Sequence, residues 1–247
     1  MRLLFSYRTD QGLVRPNNQD SFSVDLLDPR GNAALLLVAD GMGGYEGGEI
    51  ASRIAVEIVR DRVLHCAPDW AEKGVLLDGL VQAVNQANAA ILRAQQEQPE
   101  RRSMGTTLTA ALIWGQRILI AHVGDSKAVL IRPSGAEKVT TDHNVAGELV
   151  ESGHLTAEEA AVHPQRHVLT RALGVDANLR IEQRELTWEQ GDELLLFTDG
   201  LSNLVSLTEI EEISREGFES MPQRLVDLAN ERGGYDNITV LAARWEG

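Results

Sequence analysis

The chain has 247 residues, a length that suits one large domain or two small ones. Hydrophobic residues make up 43% and charged residues 24%, which is ordinary for a soluble globular protein and excludes a disordered or fibrous chain. The formal net charge of −14 argues against non-specific nucleic-acid binding, so an anionic substrate would need cations supplied locally by metal ions or by a placed arginine.

Three short β-prone runs open the chain: LLFSYRT, SFSVDL and AALLLVAD. The third is continuously apolar, as is typical of a strand covered on both faces. Its apolar part, Ala33 to Ala39, is far shorter than the roughly 20 residues needed to cross a bilayer. The N-terminus turns polar too soon for a signal peptide, and the single cysteine, Cys66, fits a reducing compartment. We therefore expect a cytoplasmic protein without membrane attachment.

Two helices are predicted next. The first follows the glycine-rich break at 41–48, and Pro68 is expected to end it. Its apolar stripe consists of Ile50, Ile54, Ile58, Val59 and Val63. The second covers about 72–97, with a solvent-facing tail over 94–103, and its stripe consists of Val75, Leu80, Val84, Ala87, Ile91 and Leu92.

Strands return at Gly105, in the runs GTTLTAALIW, RILIAHVGD and KAVLIR. Their short connections predict antiparallel hairpins and argue against a doubly wound parallel sheet. Residues 141–178 look like an irregular excursion with short helical pieces. Two more strands, helices near 207–215 and 221–231, and a last strand over 237–244 complete the chain. No linker divides it, so residues 1–247 are predicted to form one domain of two β-rich layers covered by helices.

Four aspartates stand at the ends of predicted strands. Asp40, Asp125 and Asp199 follow apolar runs, and Asp236 precedes one. Carboxylates delivered to one edge of stacked sheets can converge, and oxygen ligands without Cys or His select Mg²⁺ or Mn²⁺. An Asp-Gly pair after a strand is also a common turn, so spacing alone leaves a metal site and ordinary loop chemistry both open.

The segment TDQGLVRPNNQDS adds Arg15 and Asp20 from one loop, and the planar guanidinium of arginine suits a phosphate dianion. Together with LLLVADGMGG, MGTTLTAAL, AHVGDSKAVL, TTDHN, HPQRHVLTRALG, LLLFTDGLSN and GGYDNITV, this segment resembles the compact bacterial form of the PPM (type 2C) metal-dependent serine/threonine protein phosphatases. The resemblance runs from about residue 5 to 243, with the motifs in the family's order. It implies an α+β fold, a four-layer αββα sandwich of two mostly antiparallel sheets flanked by helix pairs, with a small flap insertion at about 143–168.

The resemblance also implies a set of metal ligands. Asp40 would bridge two Mn²⁺ or Mg²⁺ ions, with the Gly41 carbonyl on the second ion. Asp199 and Asp236 would complete the first. Asp125 would help to bind a third, weaker ion together with Asp199.

Two further roles follow from the same resemblance. Asp20 would hold metal-bound waters by hydrogen bonds, and Arg15 would grip the substrate phosphate. The implied reaction is hydrolysis of phosphoserine and phosphothreonine by a metal-activated bridging water. The implied partners are phosphorylated proteins and an opposing Ser/Thr kinase, and the enzyme is expected to be a monomer.

The chain departs from the family pattern at three places. Gln19 stands where many relatives have Glu, although its carbonyl can still accept a hydrogen bond from a water. Met42 stands where eukaryotic members have a histidine proposed as general acid, and methionine donates no proton. Lys127 replaces the usual Arg after the GDS motif, a change expected to be tolerated at the surface.

Five histidines lie between residues 122 and 167, and their expected roles differ. A hydrogen-bonded structural role is expected for His122, and His143 is the histidine expected nearest the chemistry. His154, His163 and His167 are expected to pack or cap within the flap.

Two alternatives to the phosphatase remain open. A catalytically weak or inactive protein with the same fold would bind phosphoproteins as a regulator, but such proteins usually lose metal ligands that this chain keeps. A phosphatase with an aspartyl nucleophile on a parallel sheet would need an Asp-x-Asp pair after the first strand, and ADGMG lacks the second acid.

Overall fold

The computed structural model describes residues 2–43, 47–97 and 103–246. Its strands are β1 (Arg2–Asp10), β2 (Asp20–Leu26), β3 (Ala33–Met42), β4 (Gly105–Thr106), β5 (Leu108–Trp114), β6 (Arg117–Val123), β7 (Lys127–Arg132), β8 (Gly135–Lys138), β9 (Glu182–Thr187), β10 (Glu193–Phe197) and β11 (Ile238–Glu246). Its helices are α1 (Gly47–Glu72), α2 (Leu76–Glu97), α3 (Val145–Glu151), α4 (Ala157–Ala161), α5 (Asp199–Ser202), α6 (Leu207–Glu216) and α7 (Met221–Glu231).

Two antiparallel sheets stack between two pairs of helices, which confirms the predicted four-layer sandwich. One sheet has the order β1-β11-β10-β7-β8, and the other has the order β2-β3-β5-β6-β9 with β4 added to β3. Helices α1 and α2 cover the second sheet, and α6 and α7 cover the first. None of the described helices is long and apolar enough to cross a membrane.

The central strand β3 shows why its sequence is apolar throughout. Leu35 and Leu37 pack toward α1 and α2, whereas Leu36 and Val38 pack between the two sheets. All four side chains are fully buried. Because successive side chains of a strand point to opposite faces, a strand with two covered faces needs apolar residues at both sets of positions.

Helix α1 differs from the prediction at its end. Pro68 does not end it, because α1 continues to Glu72. Proline loses one hydrogen bond to the preceding turn, but packing supports the turn that follows. Ala67 is buried, and the Trp70 ring lies so close to Gly79 of α2 that a Cβ there would be 2.3 Å from it. Helix α2 begins later than expected, and the tail predicted over 94–103 falls partly on 98–102, outside the described residues.

The connection from β6 to β7 is a second difference. A hairpin was predicted, yet these strands belong to different sheets although only residues 124–126 join them. Gly124 makes this crossing with φ of 110°, and any Cβ on it would lie 2.5 Å from Thr107. The backbone therefore passes from one sheet to the other at a glycine. Asp125 follows it immediately and so lies where the two sheets meet.

Candidate active site

The strand-end acids share one cleft of about 760 Å³. Of the predicted site residues, those that line it are Arg15, Asp40, Gly41, Asp125, Asp199 and Asp236. Both sheets contribute, since Asp40 lies on β3 while Asp236 precedes β11. The structure therefore brings together side chains that are up to 221 residues apart in the chain.

Asp20 lies beside this cleft, directly opposite Asp40 in the β2–β3 register. Its Oδ2 accepts hydrogen bonds from the hydroxyls of Thr198 at 2.9 Å and Thr239 at 2.7 Å. Its Oδ1 is buried and has no hydrogen-bond partner among the described residues. Buried polar atoms are normally paired, so this oxygen fits an acceptor for water held by metal ions.

Asp40 is positioned through its backbone. Its N–H donates to Thr107 Oγ1 at 2.9 Å, and Thr107 N–H donates back to the Asp40 carbonyl at 2.9 Å. The Thr107 hydroxyl also lies 2.7 Å from that of Ser126. A single threonine thus joins the end of β3 to the crossing between β6 and β7.

Asp125 sits on that crossing and is nearly fully buried. Asn144 Nδ2 contacts its Oδ2 at 3.4 Å, and Lys127 Nζ donates to its backbone carbonyl at 2.9 Å. Lys127 also pairs with Asp142 at 3.3 Å, and only 16% of its side chain is exposed. The prediction that Lys127 lies at the surface is therefore wrong, because its long side chain reaches inward to the turn beneath Asp125. Tolerance of lysine in place of arginine stays a prediction.

Asp199 and Asp236 approach from neighbouring strands. Asp199 begins α5, separated from β10 by Thr198 alone, and its Oδ2 accepts a hydrogen bond from Asn203 Nδ2 at 3.1 Å. A Cβ on Gly200 would lie 2.0 Å from the Asn237 carbonyl, so only glycine allows this approach to the start of β11. Asp236 Oδ1 accepts a hydrogen bond from the Asn237 N–H at 2.9 Å, and Asp236 Oδ2 accepts one from Arg15 Nη2 at 2.7 Å.

Asn237 anchors the loop that carries Arg15. Its Nδ2 donates to the carbonyls of Gln11 at 2.8 Å and Asn17 at 2.9 Å, and its Oδ1 accepts from the Gln19 N–H at 2.8 Å. The loop is thereby held against β11 on both sides of Arg15. Sequence reasoning did not single out Asn237, since these partners lie more than 200 residues away.

Burial and neighbouring charges raise the pKa of three of the acids, Asp20, Asp40 and Asp125. Burial raises the pKa of Asp20 to about 7, with the charges of Asp199 and Asp236 adding to the effect. Burial and then the charge of Asp199 raise the pKa of Asp125 to about 7. The pKa of Asp40 lies well above its usual range because of burial and the charge of Asp20. Divalent cations would stabilise the ionised forms, so the donor set fits hard metal ions.

In the part of the chain that the structure describes, the strand-end carboxylates line one cleft without forming a compact cluster of three ligand atoms. Among the described residues, the one set of three or more His, Cys, Asp or Glu whose ligand atoms lie within 4.8 Å of one another is His122, His143 and Glu182. Mutual repulsion favours separation of the acids, and Arg15 holds Asp236. Ligands of one small octahedral ion lie closer, about 3 Å apart for neighbouring oxygens.

The His122, His143 and Glu182 cluster is a hydrogen-bond network rather than a metal site, because each ring nitrogen already has a partner. His122 contacts Thr109 Oγ1 at 2.8 Å and the Thr141 carbonyl at 3.0 Å, as expected for a structural histidine. His143 Nδ1 accepts the Gly124 N–H at 3.1 Å, and its Nε2 lies 3.3 Å from Glu182. His143 supports the turn before Asp125 and does not line the cleft, contrary to the expectation that it stands near the chemistry.

One histidine of the 143–168 neighbourhood does line the cleft. His167 Nδ1 lies 4.0 Å from Asp199 Oδ2, so the expected packing or capping role is wrong for this residue. His154 and His163 make local contacts, with Ser152 Oγ at 2.9 Å and the Gln165 N–H at 3.2 Å, as expected. Arg166 also lines the cleft. Because this segment is irregular, no periodicity in its sequence separates the residues that line the cleft, Arg166 and His167, from those with local contacts, His154 and His163.

Hydrolysis of a phosphate ester with divalent ions needs a carboxylate-lined cleft and a cation for the phosphate. The sandwich and its cleft place this chain in the class of metal-dependent phosphatases. Comparison with known proteins gives the family: the chain belongs to the protein phosphatase 2C family, whose model matches residues 14–240.

Individual relatives are similar over nearly the whole chain. A serine/threonine phosphatase stp of Listeria monocytogenes is 35% identical over 95% of this chain and 93% of its own length. The solved serine/threonine phosphatase PstP of Mycobacterium tuberculosis superposes with a TM-score of 0.88 at 38% identity, covering 100% of both chains. A structure of the PstP catalytic domain in complex with two manganese ions has a TM-score of 0.84 at 36% identity, covering 99% of both chains.

Proposed function

We propose that this chain hydrolyses phosphoserine and phosphothreonine in phosphorylated proteins. The observation that carries the proposal is the convergence of Asp40, Asp199 and Asp236 with Arg15 on one cleft. Carboxylates from three separate strand ends meet a guanidinium there, which is the chemistry a phosphate ester and its metal ions require.

The same cleft supports assignments for the metal ligands. Asp40 would be shared by two Mn²⁺ or Mg²⁺ ions, with Asp199 and Asp236 on the first ion and the Gly41 carbonyl on the second. Asp125 and Asp199 would hold a third, weaker ion. When bound, the ions supply a water activated near neutral pH and neutralise the charge of the phosphoryl group.

The chain's own side chains orient the reactants. Arg15 uses Nη2 for Asp236 and keeps further N–H donors of its planar guanidinium for the substrate phosphate. Asp20 fixes the orientation of water through its unpaired Oδ1, because its other oxygen is held by two threonine hydroxyls. Met42 lines the cleft and donates no proton, so the leaving group must take its proton from water or another side chain.

We further propose that residues 1–247 work as a single domain in which 143–168 acts as a flap beside the cleft. An asparagine cap at Asn144 and a capping box at Thr156 and Glu159 give this segment its own local order. The enzyme would act in the cytoplasm as a monomer, opposing a Ser/Thr kinase encoded separately. Helices α3 and α4 bury almost no side chains, so few contacts hold them to the rest of the domain. This supports a flap that can adjust to substrates.

The direct test is phosphate release from phosphothreonine peptides with Mn²⁺ present and after chelation with EDTA. We expect hydrolysis with Mn²⁺ and none in EDTA. Asp199→Asn should lower kcat by about two orders of magnitude or more while the thermal midpoint is retained. Asp61→Asn, at an exposed position on α1, is the matched control and should behave as wild type. Full activity in EDTA would refute the proposal, and peptide binding without phosphate release would favour a regulatory protein.

A further inference from the structure

The two loops that frame the Arg15–Asp236 pair carry exposed apolar side chains. Leu13 and Val14, which precede Arg15, are 68% and 62% exposed. Tyr235, which precedes Asp236, is 63% exposed. We call Leu13, Val14 and Tyr235 the apolar ridge. Large apolar side chains that protrude together beside a functional cleft indicate an interaction surface.

Backbone contact between the loops builds this ridge. The Leu13 N–H donates to the Gly234 carbonyl at 2.8 Å. Gly12 has φ of 75°, and a Cβ on it would lie 2.2 Å from the Asp236 carbonyl. Gly234 has φ of 49°, and a Cβ on it would lie 2.9 Å from Leu13 Cγ. Glycines let the two backbones touch, and the Leu13 side chain lies against Gly234 while most of its surface stays exposed.

Side-chain hydrogen bonds hold the ridge in place. Asp10 Oδ1 accepts from the Gly12 N–H at 2.9 Å and from Asn230 Nδ2 at 3.2 Å, which joins the first loop to the end of α7. A surface that is ordered before binding loses less conformational entropy when a partner arrives. The ridge is therefore a prepared surface and not a frayed loop tip.

We infer that the apolar ridge binds apolar side chains of the substrate polypeptide next to its phosphorylated residue. This inference rests on the proposed function. Tyr235 lines the catalytic cleft, and Val14 is bonded to the arginine proposed to hold the phosphate. A polypeptide whose phosphate reaches Arg15 brings the residues next to the phosphorylated one within reach of this rim. The cleft carries apolar side chains such as Leu169, Val175 and Leu204 beside its acids, and the ridge extends this apolar surface at Tyr235.

The test compares two phosphothreonine peptides that differ only in the two residues on each side of the phosphothreonine, Val and Phe in one and Ser in the other. Each kcat/KM is measured with Mn²⁺ and divided by the same enzyme's kcat/KM for p-nitrophenyl phosphate. We expect wild type to prefer the apolar peptide by about tenfold, the effect of burying roughly one large apolar side chain. The variant Leu13→Ser/Tyr235→Ser should bring this preference close to one.

Leu26→Ser is the matched control, because Leu26 is 50% exposed at the opposite end of β2 from Asp20 and should keep the preference. Equal rates for the two peptides in wild type, or an unchanged preference in the double variant, would overturn the inference. Hydrolysis of p-nitrophenyl phosphate without hydrolysis of either peptide would overturn it too and leave the phosphatase chemistry intact. Loss of activity toward every phosphate ester would instead refute the proposed function. Analytical ultracentrifugation tests whether the ridge instead binds a second copy of this chain. A wild-type dimer that is lost in the double variant would contradict the inference.

Discussion

Arg15 Nη2 lies 2.7 Å from Asp236 Oδ2 and so ties the proposed phosphate-binding side chain to a proposed metal ligand. Both side chains are partly exposed, so this ion pair contributes little to the stability of the fold. Its importance is positional. The pair holds the guanidinium at the mouth of the cleft, and a change at Arg15 should affect substrate binding more than folding.

Replacement of Arg15 tests this role. We expect Arg15→Ala to raise KM for p-nitrophenyl phosphate and to lower kcat/KM by about 10- to 100-fold, because a charge-assisted hydrogen bond to the phosphate is lost. Arg15→Lys should restore only part of the activity, since lysine lacks the planar fork. Steady-state kinetics of both variants measures the effect. Unchanged KM in Arg15→Ala would show that the residue does not contact the phosphate.

The threonines behind Asp20 give a second prediction. Thr239→Val removes one of the two hydroxyl donors to Asp20 Oδ2 and makes ionisation of the acid less favourable. We expect Mn²⁺ affinity to fall by about tenfold, the value of one hydrogen bond to a charged group, when measured by calorimetric titration. Thr109→Val is the matched control, because Thr109 is equally buried but bonds to His122 instead. Equal Mn²⁺ affinities in the two variants would contradict this role of Thr239.

The buried histidine network makes a contribution to stability that is lost in acid. Burial and the charge of His143 lower the pKa of His122 to about 3, below the value of about 6.5 for an unfolded histidine. Burial opposes ionisation of Glu182, yet hydrogen bonds from His143 and Thr141 lower its pKa to about 2. Both groups bind protons more readily in the unfolded chain. The stability that His122 contributes is therefore complete above about pH 6.5 and is lost as pH falls toward 3. The stability that Glu182 contributes is complete above about pH 4.5 and is lost as pH falls toward 2.

Urea unfolding at several pH values between 7 and 4.5 measures this effect. Asp20 and Asp125, whose pKa values are raised to about 7, act in the opposite direction, so the quantity to compare is the difference in free energy of unfolding between wild type and a His122 variant. We expect this difference to shrink by about 1–3 kcal/mol over the interval. His122→Asn removes the titrating ring, so the variant should be less stable at pH 7 but lose less stability on acidification. A wild-type and a variant protein with the same pH slope would show that His122 does not titrate with unfolding.

The sandwich could be predicted because the apolar residues of each strand show which of its faces are buried. The run from Leu35 to Val38 is apolar at every position, as a strand with two covered faces requires. The end of α1 could not be predicted from Pro68, because packing of Trp70 on Gly79 outweighs one lost hydrogen bond. The crossing at Gly124 was also missed, since a short connection reveals that two strands are near each other but not which sheet each joins.

The candidate site was predictable to a similar extent. Acids at strand ends are visible in the sequence, and the structure gathers Asp40, Asp125, Asp199 and Asp236 at one cleft. The side chains that support them are not visible in this way. Asn237 acts only through partners at the other end of the chain, and His167 reaches the cleft from an irregular segment. Such contacts depend on tertiary structure and leave no local pattern.

Met42 offers a fourth prediction, on proton supply. The residue lines the cleft beside Gly41 and carries no titratable group. If water supplies the proton of the leaving group, Met42→His should alter the pH dependence of kcat, because a histidine titrates near neutral pH. Mn²⁺ affinity should change less than about threefold, since the predicted metal ligands are retained. A pH profile identical to that of wild type would count against the idea.

The central claim is that this cleft holds divalent cations through carboxylates from separate strands, and calorimetric titration of chelator-treated protein with Mn²⁺ tests it most directly. We expect at least two ions to bind wild type, with Asp61→Asn unchanged as the control. Asp40→Asn should abolish tight binding of both ions while its thermal midpoint without metal stays the same or rises, because a neutral amide replaces a buried carboxyl whose ionisation is disfavoured. Binding of two Mn²⁺ ions to Asp40→Asn with wild-type affinity would contradict the account.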